Sequence, residues 1–258
     1  MFDFLKKKEI ADDEEEVEYQ VDYSDISHIA EYFHSETGIT FTQHISILTN
    51  KVTTFCKQRK IHSFSKLLQD IKTDTHLKQE LINYLTTNET YFYREFKQIE
   101  ELVSLVKSKN SKVEILCAPS ATGEEPYSIA IALLEAGVSP SNFHILGIDI
   151  NSKAISKAQE AIYGERNIRN LSPQIIQKHF TRRDEKYMIN HSLKSLVSFK
   201  IANLFDSSFT SIGKFDFVFS RNMLIYFDKE TKLKAKSILE SVRKTQEHKV
   251  FFGHADLF

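Results

Sequence analysis

The hydrophobic period of this chain changes near Lys112, and that change constrains the fold more than any other feature. From about Ser24 to Leu85 the apolar residues recur at helical spacing in "DISHIAEYFHSETGI", "QHISILTNKVTTFCKQRKI", "SFSKLLQDIKT" and "HLKQELINYLTT". With no alternating strand pattern and little glycine or proline, this stretch predicts a small all-helical bundle. Beyond Lys112, "VEILCA" precedes "EEPYSIAIALLEA" and "FHILGIDI" precedes "SKAISKAQEAI". Then come "LVSFKIANLF", "FDFVFS", the helix "KETKLKAKSILESVRK" and a last strand "KVFFGHA". Apolar strands separated by helices require a parallel sheet covered on both faces. Right-handed crossovers bring the strand C-termini to one edge, where such sheets bind ligands.

One segment breaks the alternation. "NLSPQIIQKHFTRRDEKYMINHSLK" is too long for a simple connection and reads as a helix followed by a small β excursion, about residues 172–198. The chain thus divides into a flexible acidic tail (1–22), a helical domain (23–90) and an α/β, Rossmann-like domain (91–258) carrying the excursion.

Composition removes several function classes. Lys+Arg 34 against Asp+Glu 35 leaves a net charge of -1, so no global field favours nucleic acid or an anionic membrane. No window approaches the roughly 18–20 apolar residues of a membrane span, and "MFDFLKKKEI" is too short for a signal peptide. A cytoplasmic protein is expected. Cys56 and Cys117 lie far apart in apolar surroundings and read as reduced core thiols; the histidines show no ligand spacing, so no metal is expected.

"ATGEEPYS" follows the first strand and opens the first helix. Gly123 can supply a close backbone approach or an unusual φ. Glu124 and Glu125 argue against phosphate, because a helix N-terminus left free of acid is the usual anion site. They can simply offset the helix dipole; alternatively they receive a cation, and S-adenosylmethionine, with its sulfonium and amine and no phosphate, fits. Asp149 ends the second strand, where an acid caps a helix or accepts ribose hydroxyls. Asn203, Arg221, Asn222 and Tyr226 come to the same edge from the third and fourth strand ends.

These residues resemble the chemotaxis receptor glutamate methyltransferases of the CheR type. The matching stretches are "LTTNETYFYRE", "ATGEEPYSIAIAL", "GIDI", "AIYGERNIRNLSPQIIQKHF", "NLFD", "FDFVFSRNMLIYFD" and "FGH", in order from about residue 24 onward. The resemblance implies a methyltransferase fold and S-adenosylmethionine as cofactor, with S-adenosylhomocysteine as product. It implies that Asn88, Thr90 and Arg94 close over the cofactor, that Glu125 contacts its methionine or adenosine portion, Asp149 the ribose, and Asn203 with Leu204 the adenine. Arg221, Asn222 and Tyr226 would complete the pocket. Read without the family, "NETYFYR" is only a helix with an N-cap signal at Asn88.

The implied reaction forms γ-carboxyl methyl esters on glutamates of a chemoreceptor's cytoplasmic helices. Arg94 would hold the incoming carboxylate or shape the pocket, and Tyr226 would donate its hydroxyl or pack its ring. Lys51, Lys57, Arg59 and Lys60 are read either as a solvated face or as a docking face for the acidic receptor. Contact with the membrane would then be only through receptors, and a monomer is expected. The glycine-containing loop of members that tether to a receptor tail is missing from the excursion, which implies a tether-independent mode. A non-catalytic cofactor-binding adaptor, or a methyltransferase for another acceptor, is the alternative.

Overall fold

A computed structural model describes residues 21–42, 44–109 and 111–256. Four helices form the N-terminal bundle: α1 (Ser27–Thr37), α2 (Ile45–Gln58), α3 (Phe64–Thr73) and α4 (Thr75–Leu85). Their starts and stops are written locally. Ser63 caps α3 by accepting from Lys66 N, Asp74 caps α4 by accepting from His76 N and Leu77 N, and Gly38 ends α1 in the left-handed region. Ile29, Phe33, Leu48, Val52, Phe55, Leu67 and Leu81 fill the bundle core. Each such side chain, once buried, contributes roughly 1.5–3 kcal/mol.

The tail expected over residues 1–22 lies outside the described residues except for Val21 and Asp22. Asp22 is already tied to the bundle: its N–H donates to His62 O at 2.9 Å and its carbonyl accepts from Phe64 N at 3.1 Å.

The second domain runs α5 (Phe96–Lys107), β1 (Val113–Cys117), α6 (Glu124–Glu135), β2 (Phe143–Asp149) and α7 (Ser152–Glu160). Next come β3 (Ile162–Gly164), α8 (Glu165–Ile168), α9 (Pro173–His179), β4 (Phe180–Arg183), β5 (Lys186–Ile189) and α10 (His191–Lys194). The chain then returns through β6 (Val197–Ile201), β7 (Phe217–Ser220), α11 (Lys229–Ser241) and β8 (Val250–Phe252). The main sheet has the order β6-β2-β1-β7-β8 and every pairing is parallel. This is the α/β architecture read from the alternation of apolar runs and helices. Ile115, Ile129, Tyr127 and Phe219 belong to the core on one face, Leu116, Val218, Ala235 and Leu239 to the core on the other. Cys56 and Cys117 are free and buried, and burial pushes the Cys56 thiol up to about 11.

Two local readings are corrected. The excursion is a three-stranded antiparallel sheet, β3-β5-β4, so it draws in residues 162–164 upstream of the expected insertion. A strand of three residues is too short to show alternation. The stretch "NETYFYR" is not a helix: residues 86–91 are irregular, residues 92–95 form a turn, and α5 begins only at Phe96. Tyr93 and Glu95 take left-handed φ values of 58° and 48°, while Phe92 is fully buried against Tyr163 and Phe180. Tertiary burial overrides local propensity here.

The two domains are stitched by amide side chains. Asn151 Nδ2 donates to Asn83 O (3.2 Å) and Thr86 Oγ1 (2.8 Å), Gln79 Nε2 donates to Ile150 O (2.9 Å), and Asn203 Nδ2 donates to Glu36 O (2.6 Å).

Candidate active site

The loops at four strand ends and the helical bundle enclose one cavity of about 560 Å³. Residues 118–121 follow β1, 148–150 close β2, 202–205 follow β6, and 221–223 with 225–227 follow β7. Thr37, Phe41, His44, Ile47 and the connecting segment 85–91 complete the wall from the bundle side. The volume is that of a small-molecule or cofactor site. Asn88, Thr90, Arg94, Glu125, Asp149, Asn203, Leu204, Arg221, Asn222 and Tyr226 all line it.

The two glutamates of "ATGEEPYS" diverge. Glu124 turns inward, fully buried, and accepts from Thr122 Oγ1 and Asn167 Nδ2, each at 2.7 Å; burial raises its carboxyl. Glu125 lines the cavity and is ion-paired to Arg221 Nε. Its other oxygen, Oε1, is buried with no hydrogen-bond partner among the described residues, as is Ser120 Oγ on the same cavity wall. Gly123 is not a lining residue. Its φ is +94°, and a Cβ there would lie 2.8 Å from Ala158 Cβ and 3.0 Å from the Tyr163 hydroxyl. The glycine thus serves the helix start and its packing against α7 rather than an approach to ligand.

Asp149 is 5% exposed and accepts from Ala121 N (2.9 Å) and Asn151 N (2.8 Å). Burial pushes its carboxyl up to about 6, against the lowering effect of those amides. Asn203 commits its side-chain amide to structure: Nδ2 donates to Glu36 O and Oδ1 accepts from Phe205 N at 3.0 Å.

Arg94 sits on the turn that joins the two domains. Its Nη1 donates to Glu89 O at 3.1 Å, and the Asn222 amide oxygen, turned toward the guanidinium, accepts from Nε at 3.2 Å and Nη2 at 3.0 Å. Those contacts engage three of the five guanidinium N–H groups and leave two for another acceptor. Asn222 reaches this position through a left-handed φ of 60°. Arg221 Nη1 donates to Arg94 O (2.8 Å) and Glu95 O (3.3 Å), tying the same turn to the end of β7. Tyr226 is 39% exposed, and its carbonyl accepts from Thr40 N at 2.9 Å, which fixes the rim to the bundle.

The proposed docking cations separate. Arg59 is held by Glu80 at 3.0 Å and stacks over the Phe55 ring at 3.7 Å, so it is a bundle residue rather than a free cation. Lys51 lines the cavity itself, while Lys57 and Lys60 are exposed, Lys60 beyond the helix end. Sequence reasoning missed Asp256 and Glu95, which contact the loop after β7, and the wall residues Phe41, His44 and Ile47. They carry no local motif, and only tertiary folding brings them there. No helix among the described residues is long and apolar enough to cross a membrane.

A sequence model described as CheR methyltransferase, SAM binding domain, matches residues 88–258. Over 222 residues the chain is 38% identical to a protein of Campylobacter jejuni named chemotaxis protein methyltransferase, covering 86% of this chain and 84% of that one. A protein of the same name from Borreliella burgdorferi is 30% identical over 248 residues, with coverage of 90% and 87%. The Escherichia coli protein of that name is 29% identical over 238 residues, with coverage of 89% and 83%.

Proposed function

This chain belongs to the CheR methyltransferase family, and on that premise we propose that it methylates glutamate side chains of chemoreceptors, forming γ-carboxyl methyl esters in the cytoplasm. The cofactor is S-adenosylmethionine. The cavity's donor set suits it: Glu125 Oε1 and Ser120 Oγ are buried without partners among the described residues, Glu125 and Asp149 are acids, and the first turn of α6 carries Glu124 and Glu125. Asp149 would accept from the ribose hydroxyls, Glu125 would face the cationic methionine portion, and Leu204 with the Asn203 main chain would flank the adenine. Asn88 and Thr90 would close over it from the connecting segment.

When bound, the cofactor supplies an electrophilic methyl whose bond to sulfur breaks as the acceptor oxygen bonds to carbon, leaving a neutral thioether. The chain's own task is then positioning. A glutamate carboxyl with a pKa near about 4.3 is already an anion at neutral pH, so no general base is required. Alignment and exclusion of water carry the rate. The remaining N–H groups of Arg94 would receive the carboxylate, with Asn222 and Glu89 O holding the guanidinium so that it directs the nucleophile without wrapping it. Tyr226 at the rim would donate to either reactant or pack its ring.

The observation that carries this reading is the opposition, in one cavity, of Glu125 in the first turn of α6, paired with Arg221, and Asp149 at the end of β2 to Arg94 on the connecting turn. The acids suit a cationic cofactor and the arginine an anionic acceptor. Lys51, Lys57 and Lys60 would steer the acidic receptor helix toward the opening, as a monomer acting without a tether. Incubation with methyl-labelled S-adenosylmethionine and chemoreceptor cytoplasmic fragments should yield alkali-labile volatile methanol. Release should vanish with Arg94→Ala; no release from the unmodified protein despite cofactor binding would overturn the acceptor assignment.

A further inference from the structure

Asp256 lies outside the cavity wall and is fully buried, yet its carboxylate meets the loop that forms one side of the site. Oδ2 accepts from Asn222 N and from Gly253 N (3.2 Å), and Oδ1 accepts from Ile225 N at 3.3 Å. Two of these three amides belong to the segment that presents Arg221, Asn222 and Tyr226 to the cavity. Asn222 is the left-handed residue of that segment, a conformation asparagine adopts more readily than other side chains, and its N–H is held there by Asp256. The approach is close enough to demand glycine at 253: a Cβ there would lie 2.9 Å from Asn222 N and 2.9 Å from Asp256 Oδ2. On the other side, Glu95 Oε2 accepts from His254 N at 3.3 Å and pairs with His254 Nδ1 at 3.1 Å, so the same tail is also fastened to the Arg94 turn.

From this arrangement we infer that Asp256 is a positioning residue: it holds the Asn222–Tyr226 loop so that the Asn222 amide orients Arg94 toward the acceptor. The chain of contacts runs Asp256 to the Asn222 main chain, Asn222 Oδ1 to Arg94, and Arg94 to the reacting carboxylate. The last link rests on the proposed glutamate chemistry; the first two do not. Replacing one carboxylate oxygen by an NH2 sets donor against donor, so Asp256→Asn should release the loop while preserving size and burial. Displacements of about 1 Å in groups that align reactants cost on the order of 100-fold in rate.

The test compares the full chain with Asp256→Asn, Asp256→Glu and Gly253→Ala by amide hydrogen exchange and by methyl transfer to receptor fragments. In Asp256→Asn and Gly253→Ala, exchange over residues 221–226 should accelerate while the rest of the sheet stays protected. The kcat should fall about 10- to 100-fold with the S-adenosylmethionine Kd within about threefold. Asp256→Glu, which keeps the charge and both acceptors, should recover part of the loss. Unchanged exchange at 221–226 in both variants overturns the inference. Loss of protection across the whole chain with a parallel loss of cofactor affinity overturns it too, in favour of a merely structural role. If the unmodified chain transfers no methyl to receptor fragments, the acceptor reading fails, while the exchange pattern still decides the role of Asp256.

Discussion

Arg221 donates from Nε to the Glu125 carboxylate within the protein, the two side chains being 3% and 10% exposed. A pair buried to this degree is costly to break, because the surviving charge has neither partner nor water. Arg221→Ala should therefore lower the unfolding free energy by about 3–5 kcal/mol in urea titration. Glu125→Gln keeps the shape but removes the charge that, on the proposed reading, faces a cationic ligand as well as Arg221. A Kd for S-adenosylmethionine raised about tenfold or more, or about 1.4 kcal/mol, is expected by calorimetry. An unchanged Kd would remove Glu125 from the cofactor site.

If Asp149 accepts from the ribose as proposed, its buried carboxyl, pushed up to about 6 from an ordinary 3.8, should make cofactor affinity depend on pH. Hydroxyl donors bind the charged form, so affinity should be full above about pH 6 and fall as pH drops through that value, approaching tenfold per unit. The stability sign is opposite. The folded state holds this proton more tightly than the unfolded chain, so as pH rises from 3.8 to about 6 Asp149 alone erodes stability. Titration of Kd against pH with Asp149→Asn as reference should show the acid limb only with aspartate present.

Gly123→Ala should destabilise the fold by about 1–3 kcal/mol, since alanine would hold a left-handed φ and press on Ala158. Because Gly123 does not line the cavity, the folded protein should keep its affinity for cofactor within a few fold. Denaturation curves together with calorimetry separate the two effects; a large loss of affinity without loss of stability would restore the ligand-approach reading of this glycine.

Charge reversal separates the cations of the second helix. Lys57→Glu should raise the KM for receptor fragments and leave the cofactor Kd unchanged. Arg59→Glu should instead cost roughly 1 kcal/mol of stability through Glu80. Equal kinetic effects at the two positions would contradict this division.

The parts legible in the sequence share a physical reason. Asp149, Asn203, Arg221 and Tyr226 could be assigned to one edge because parallel strands joined by right-handed crossovers end there together. Periodicity cannot say which way a side chain turns once there. Glu124 and Glu125 are neighbours in sequence, yet one enters the core toward Asn167 and the other meets Arg221. Asn203 lines the cavity and is also engaged by Glu36 O, far upstream in the chain, a contact no local spacing announces. The turn at 92–95 was hidden for a related reason: its left-handed residues are set by the burial of Phe92, which no local spacing announces.

The central claim is that this cavity delivers a methyl group to a carboxylate. Peptide mapping of receptor fragments after incubation with S-adenosylmethionine tests it most directly. The account predicts methyl groups on glutamate side chains, removable by mild alkali and absent when Arg94→Ala replaces the native chain. Methyl groups found on nitrogen, stable to alkali, or an unmodified receptor despite bound cofactor, would contradict it.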